Sequence, residues 1–223
     1  CCAACACSQE IGCSPWTTHF RADFDDLTLQ AIDVVSLTPG GSADVTWQPD
    51  PSEVFQGAGA LYFGAVGPYN YDNGGVARAQ ATLPEVTLPA ALLSELVLHA
   101  WLDVETGAGW DELRVLVNNG DKTVLVWAKP ANAPQQEWFR VQVDLTAFAG
   151  QTVTVTMEFD SVDPTINDTR GVFVDWVELR SVQTAKGCAD DADCDDKVAC
   201  SKDWCGEDGL CAYELLAACC ATN

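Results

Sequence analysis

Between residues 16 and 185, apolar and polar positions alternate in short runs, and no stretch sustains the period of a helix. In Leu96-Val97-Leu98-His99-Ala100-Trp101-Leu102 the even-numbered positions form one apolar face, with His99 and Trp101 on the other. Leu113, Val115 and Val117 alternate with Arg114 and Asn118. Asn119-Gly120 then supplies the left-handed pair that a tight hairpin needs, and 124–127 makes the return strand. Phe139, Val141, Val143 and Leu145 alternate with Arg140, Gln142 and Asp144. Beyond an Ala149-Gly150 turn, Val153, Val155, Met157 and Phe159 point inward while Thr152, Thr154, Thr156 and Glu158 point outward. About ten such strands at this spacing predict an all-β fold of two packed antiparallel sheets.

The last strand, 172–180, holds an anomaly. Strict alternation that sends Phe173, Val177 and Leu179 into the core sends Asp175 there too. A buried, unpaired carboxylate costs several kcal/mol, so it needs backbone amides, an arginine or a calcium ion. Asp23, Asp25 and Asp26 lie on the first predicted strand, which neighbours the last if the chain ends meet. Calcium takes about six to eight oxygens, so these residues with Asp175 form a candidate structural calcium site.

The cysteines mark the domain boundaries. Cys1, Cys2, Cys5, Cys7 and Cys13 precede the strands, and Cys188, Cys194, Cys200, Cys205, Cys211, Cys219 and Cys220 follow them. The chain therefore divides into a Cys-rich segment at 1–15, a sandwich at 16–185 and a Cys/Asp-rich module at 186–223. Such density in short, loop-rich segments is a disulfide framework from an oxidising compartment, which predicts a secreted or extracellular-surface protein. Zinc would want paired C-x-x-C knuckles, and the only such spacing is Cys2/Cys5. Five cysteines at one end and seven at the other cannot all pair within their own cluster. Either a bridge joins the two ends, or cysteines reach another chain, or each end keeps a free or lipidated thiol. A start at Cys1, with Met157 the sole methionine, reads as a processed product or a fragment of a longer protein, and a lipid on Cys1 is one expectation for it. In the tail, Asp190, Asp191, Asp193, Asp195 and Asp196 crowd around Cys194. Asp190 and Asp193 are candidate calcium ligands, although no glycine or terminal glutamate completes an EF-hand loop and a solvated acidic loop competes.

Charge narrows the partners. Acidic residues outnumber basic ones 33 to 11, and the net charge of −22 repels phosphate backbones and anionic lipid, which argues against nucleic acid. No apolar run approaches the roughly 18 residues of a membrane span. Catalytic chemistry is sparse. The only histidines are His19 and His99, and neither HExxH nor G-x-S-x-G occurs. Gly40-Gly41 and Gly74-Gly75 read as turns. Asp103, Glu105, Asp111 and Glu112 cluster as a glycosidase pair would, but in so acidic a chain clustering is expected by chance, and the chain is read as non-enzymatic. Eight tryptophans invite a sugar-stacking reading. Trp101, Trp127 and Trp138 fall in strand patterns, which leaves Trp110, Trp176, Tyr69 and Tyr71 as candidate glycan contacts. Asn167-Asp168-Thr169 has the form of a glycosylation sequon.

Taken in order, Asp23-Phe24-Asp25-Asp26, Leu61-Tyr62-Phe63-Gly64, Trp101 through Glu105, Asp111-Glu112-Leu113, Trp138, Val143 through Gln151 and Gly171-Val172-Phe173-Val174-Asp175 resemble MAM-like jelly-roll domains. Such domains accompany secreted bacterial proteins, including immune-inhibitor-A-type peptidases. The tail resembles the short Cys/Asp-rich modules that follow them in surface proteins of myxobacteria. The resemblance implies a jelly-roll sandwich, stabilised by calcium, that binds or adheres without activity of its own. This chain has Asp175-Trp176 where the family has two acidic residues.

Two functions follow. The first is a self-assembling subunit of a surface fibre, sheath or filament, a homo-polymer with disulfides across its head-to-tail junctions, motivated by the odd cysteine clusters. The alternative is a calcium-dependent carbohydrate-binding or adhesion module of a larger secreted protein, motivated by the jelly-roll resemblance and the loop aromatics.

Overall fold

The computed structural model describes residues 5–8, 12–38, 45–183, 188–195, 201–207, 209 and 211–215. A hairpin of β1 (Cys5–Ser8) and β2 (Gly12–Pro15) comes first. The sandwich strands follow: β3 (Thr17–Ala22), β4 (Asp33–Ser36), β5 (Thr46–Asp50), β6 (Ala60–Gly64), β7 (Arg78–Thr82), β8 (Val86–Thr87) and β9 (Ala91–Asp103). The second half holds β10 (Glu112–Asn118), β11 (Thr123–Ala128), β12 (Trp138–Asp144), β13 (Thr152–Asp160) and β14 (Gly171–Gln183). A hairpin of β15 (Ser201–Cys205) and β16 (Cys211–Leu215) closes the described chain.

The result is a two-sheet antiparallel jelly-roll sandwich. Sheet I has the order β11-β10-β13-β7-β4, with β8 on β13, and sheet II has the order β12-β9-β14-β6-β5, with β3 on β14. The first and last sandwich strands thus pair directly, Ala22 opposite Val177 and Arg21 opposite Glu178. β2 lies against β16, so the N-terminal hairpin and the C-terminal module share one end of the molecule.

The core is the one the alternation predicts. Leu113, Val115 and Val117 meet Val153, Val155, Met157 and Phe159 from sheet I, and Leu96, Leu98, Ala100, Leu102, Val141 and Val143 face them from sheet II. Ala79 and Ala81 leave room on β7 for Trp47, whose indole N–H donates to the Ala79 carbonyl at 3.2 Å. A hairpin joins β10 to β11 where expected, but the left-handed pair is not formed: Gly120 takes φ +90° while Asn119 does not take a positive φ, and the turn runs to Lys122, whose carbonyl accepts the Asn119 N–H.

Sheet II is buried on its outer side as well. Ala60, Tyr62, Trp101 and Phe173 form a second apolar cluster there, with Tyr69 and Trp138 at its edge. A sheet covered on both faces reads as continuous apolar sequence, which is why every residue of β6 is buried. Among the described residues, sheet I has no such second apolar cluster on its outer face.

The last strand corrects one expectation. Val172, Val174, Val177 and Leu179 face the core, whereas Phe173 and Asp175 face outward. Strict period two is broken by a bulge between Asp175 and Glu178, where Trp176 takes φ +52°. The extra residue returns Val177 to the inner face. Asp175 is still fully buried, but beneath the loop that follows β5, not in the core.

Candidate functional site

The open outer face of sheet I carries a groove of about 280 Å³. Gln80 and Thr82 of β7, Thr154 and Thr156 of β13, Leu116 and Asn118 of β10 and Thr123 of β11 line it. These are outward positions by period two, so the strands that build the core also set the groove's composition. Thr82 and Thr156 hydroxyls bond each other across strands at 3.0 Å, and the Asn118 amide donates to the Thr123 hydroxyl at 2.9 Å. The lining carries no charge. It crosses three interstrand spacings, roughly 14 Å, which suits an extended chain of a few linked rings.

A fixed ion network closes one end. Glu158 is buried beneath Arg78 and Arg114, which approach it at 3.0 and 3.2 Å, and it accepts from the Gln80 amide at 2.7 Å. Burial alone would raise its pKa, but Gln80, Arg78 and Arg114 together hold it below the ordinary value. The network fixes the Gln80 side chain at the edge of the groove.

The predicted acidic cluster separates. Gln30 gathers Asp23 and Asp26, its amide donating to them at 3.0 and 3.1 Å while its carbonyl oxygen takes the Asp23 and Phe24 N–H groups. That contact, before any other, lowers the Asp23 pKa. Asp25 turns the other way and accepts the Ala58 N–H at 2.7 Å. Asp175 accepts N–H groups from Phe55, Gln56 and Trp176 at 3.0, 3.1 and 2.6 Å, and burial, with a smaller push from Asp25, raises its pKa. A carboxylate offers about four lone-pair sites, so one stays open on Asp175 and more on Asp25. Asp25 and Asp175 therefore both hold the loop that follows β5, while Asp23 and Asp26 are engaged elsewhere.

In the tail, Asp190 caps a short 3-10 turn through the Ala192 N–H, and Asp193 accepts the Ala189 N–H at 2.8 Å. Cys188 pairs with Cys205 and Cys194 with Cys211. Their sulfurs include the one convergent group of three metal-type ligands among the described residues, Cys188, Cys194 and Cys211, and disulfides account for it. Cys7 stands opposite Cys13 in the β1–β2 register, and Cys5 opposite Pro15. Cys1, Cys2, Cys200, Cys219 and Cys220 lie outside the described residues.

The candidate glycan aromatics lie in different settings. Trp110 is 42% exposed. Trp176 is half-buried under the Arg21 guanidinium, 3.5 Å from its ring. Tyr69 is half-buried against Tyr62. Tyr71 departs from expectation: it is fully buried, its hydroxyl bonded to the Asp111 carboxylate, because a loop tyrosine here plugs the end of the core. Three of the clustered carboxylates, Asp103, Asp111 and Glu112, have structural partners. Asp103 binds the Gln136 amide and the Arg170 N–H, Asp111 takes the Tyr71 hydroxyl and the Glu105 N–H, and Glu112 pairs with Arg114.

No protein-family model matches the chain, and no curated protein matches it in sequence. Its fold is shared with solved structures. A carbohydrate-binding module in complex with β-1,4-galactotriose aligns at TM-score 0.50 and 14% identity, over 73% of this chain and 97% of that one. A xylan-binding domain from Paenibacillus barcinonensis aligns at TM-score 0.47 and 14% identity, over 76% of this chain and 97% of that one. A cleaved adhesin domain of Lys-gingipain from Porphyromonas gingivalis aligns at 0.45 and 15%, over 75% and 99%. At 14% identity the likeness to the galactotriose-bound module is one of fold.

Sequence reasoning looked for loop aromatics and missed the groove. The signal was present: Thr152, Thr154, Thr156 and Glu158 are consecutive outward positions on one strand, with Gln80 and Thr82 on its neighbour.

Proposed function

We propose that this chain is a non-catalytic carbohydrate-binding or adhesion module of a secreted protein, taking a neutral, extended glycan in the groove of sheet I. The uncharged groove on the outer face of sheet I, lined by hydroxyl and amide groups with Leu116, carries the reading. Hydroxyls and amides both donate and accept, which matches sugar hydroxyls, and a net charge of −22 disfavours acidic polysaccharides. The two described disulfides support an oxidising compartment. Affinity electrophoresis through gels containing xylan, β-galactan, β-glucan or mannan tests the reading. Retardation by at least one neutral polysaccharide, reduced about tenfold in affinity by Gln80→Ala with Asn118→Ala, is expected. Equal mobility in every gel overturns the function, and an affinity undiminished in the double variant overturns the location.

The filament reading has no comparable support, since both described disulfides close within the chain. We further propose that calcium at Asp25 and Asp175 ties the turn after β3, the loop after β5 and β14 together. Added calcium should then raise the melting temperature by several degrees, and Asp25→Ala should abolish the rise. A melting temperature that ignores both calcium and chelator removes the ion.

A further inference from the structure

The loop at 51–58 covers part of the outer face of sheet II, yet it leaves one aromatic side chain in solvent. Phe55 is 40% exposed. One face of its ring lies flat on the His99 imidazole, centroids 3.6 Å and planes 8° apart. Trp138 stands beside it at 6.0 Å and 60°. The three rings make a ledge: Phe55 as floor, Trp138 as wall, His99 as support. Arg140 is opposite His99 on the neighbouring strand, with 47% of its side chain exposed and its guanidinium 3.9 Å from the Glu95 carboxylate.

The ledge is fastened from below. The Phe55 and Gln56 N–H groups donate to the buried Asp175 carboxylate. Two residues earlier, Glu53 pairs with Arg170 at 2.9 Å, and Arg170 also donates to the Ser52 carbonyl at 3.2 Å. At the far end of the loop the Ala58 N–H is held by Asp25. A single exposed apolar residue is ordinary. One held rigidly, with one ring face supported and the other open beside a tryptophan, is preorganised for a flat ligand and loses little freedom on binding.

We propose that this ledge is a second carbohydrate site, on the face of the sandwich opposite the groove, that takes one pyranose ring. The C–H face of the sugar stacks on the open face of Phe55 against Trp138, and hydroxyls at the ring edge accept from Arg140. A pyranose combines an apolar face with a polar edge, and the ledge offers the matching pair, a π surface with a donor at its rim. Burial, then the charge of Arg140, lowers the His99 pKa, so the supporting imidazole is neutral at neutral pH. The ligand class rests on the proposed function, while the location stands on its own geometry. Sites on two opposite faces let one module hold two glycan chains at once.

The test is calorimetric titration with xylo-, cello- and galacto-oligosaccharides. In the Gln80→Ala, Asn118→Ala protein, whose groove is disabled, saturable binding should remain. Adding Phe55→Leu, which keeps an apolar cover over His99 but no ring, should weaken it about tenfold, as should Trp138→Ala, whereas Phe55→Tyr should retain it. Melting temperatures within a few degrees of the parent confirm that each variant is folded. Residual binding indifferent to Phe55→Leu and Trp138→Ala overturns the ledge. So does a complete loss of binding with the groove variants alone, which leaves the groove standing. Binding undiminished in the groove variants, and lost with Phe55→Leu alone in the otherwise unaltered protein, instead removes the groove and keeps the ledge. A protein that binds no probe overturns both.

Discussion

Two buried carboxylates, Asp175 and Asp111, hold the two sides of this molecule together through different partners. Asp175 anchors three backbone N–H groups, two from the loop after β5 and one from its own bulge. Asp175→Ala would leave these donors without their acceptor, and an unsatisfied buried group costs about 1–3 kcal/mol, so a loss of about 3 kcal/mol or more is expected in urea denaturation. Asp111 sits at φ +42°, accepts the Tyr71 hydroxyl and the Glu105 N–H through one oxygen, and keeps its other oxygen buried without a partner. Burial pushes its pKa up to about 6. Between about pH 4 and that value, the folded chain binds a proton that the unfolded chain has released. The stability contributed by protonated Asp111 is therefore full at the acid end and is lost as pH rises through this window. The stability difference between the parent and Asp111→Asn should shift across that window and stay constant above about pH 7. A difference that is flat with pH would contradict the raised pKa.

At the scale of elements, the strands were legible because a half-buried strand must alternate. Val153 through Phe159 and Leu113 through Val117 needed no tertiary information to be oriented. The last strand was not, because the bulge at Trp176 depends on what lies outside the strand. Trp176 takes a left-handed conformation while its ring packs under Arg21 of β3, and the Asp175 beside it is claimed by the loop after β5. That loop in turn needs Gly57. At φ +74°, a Cβ there would lie 1.8 Å from an Asp25 carboxylate oxygen. Gly57→Ala is expected to destabilise by about 1–2 kcal/mol, from the strained backbone and the displaced carboxylate. It should also weaken binding at the Phe55 ledge, read in the same titration, since the loop that presents the ring is the one that moves.

For the whole molecule, the cysteines matter by position. Cys188–Cys205 and Cys194–Cys211 each span 17 residues and lie wholly beyond β14. They close loops in the C-terminal module and none in the sandwich. Reduction under native conditions should therefore leave the β-sheet circular dichroism and the groove's glycan binding intact while the C-terminal module becomes sensitive to protease. Loss of the sandwich signal on reduction would show that the ends brace it covalently. β2 and β16, which carry Cys13 and Cys211, lie against each other, the kind of proximity that a bridge between the two chain ends needs. A disulfide map of the unreduced protein by mass spectrometry identifies the partners.

The amino-acid sequence by itself determined the fold class, the core faces of most strands, the separation of cysteine-rich ends from a cysteine-free middle, and the repulsion of anionic partners. All of these follow from local periodicity, composition and counting. Only the tertiary structure decided which outward face stays open, because that depends on where a loop from β5 lies down. It decided that Tyr71 is buried while Phe55 is exposed, since both are loop aromatics and the chain alone does not rank them. It also divided Asp25 from Asp23 and Asp26: three aspartates within four residues look alike in sequence, and only the position of Gln30 and the loop after β5 distinguishes them.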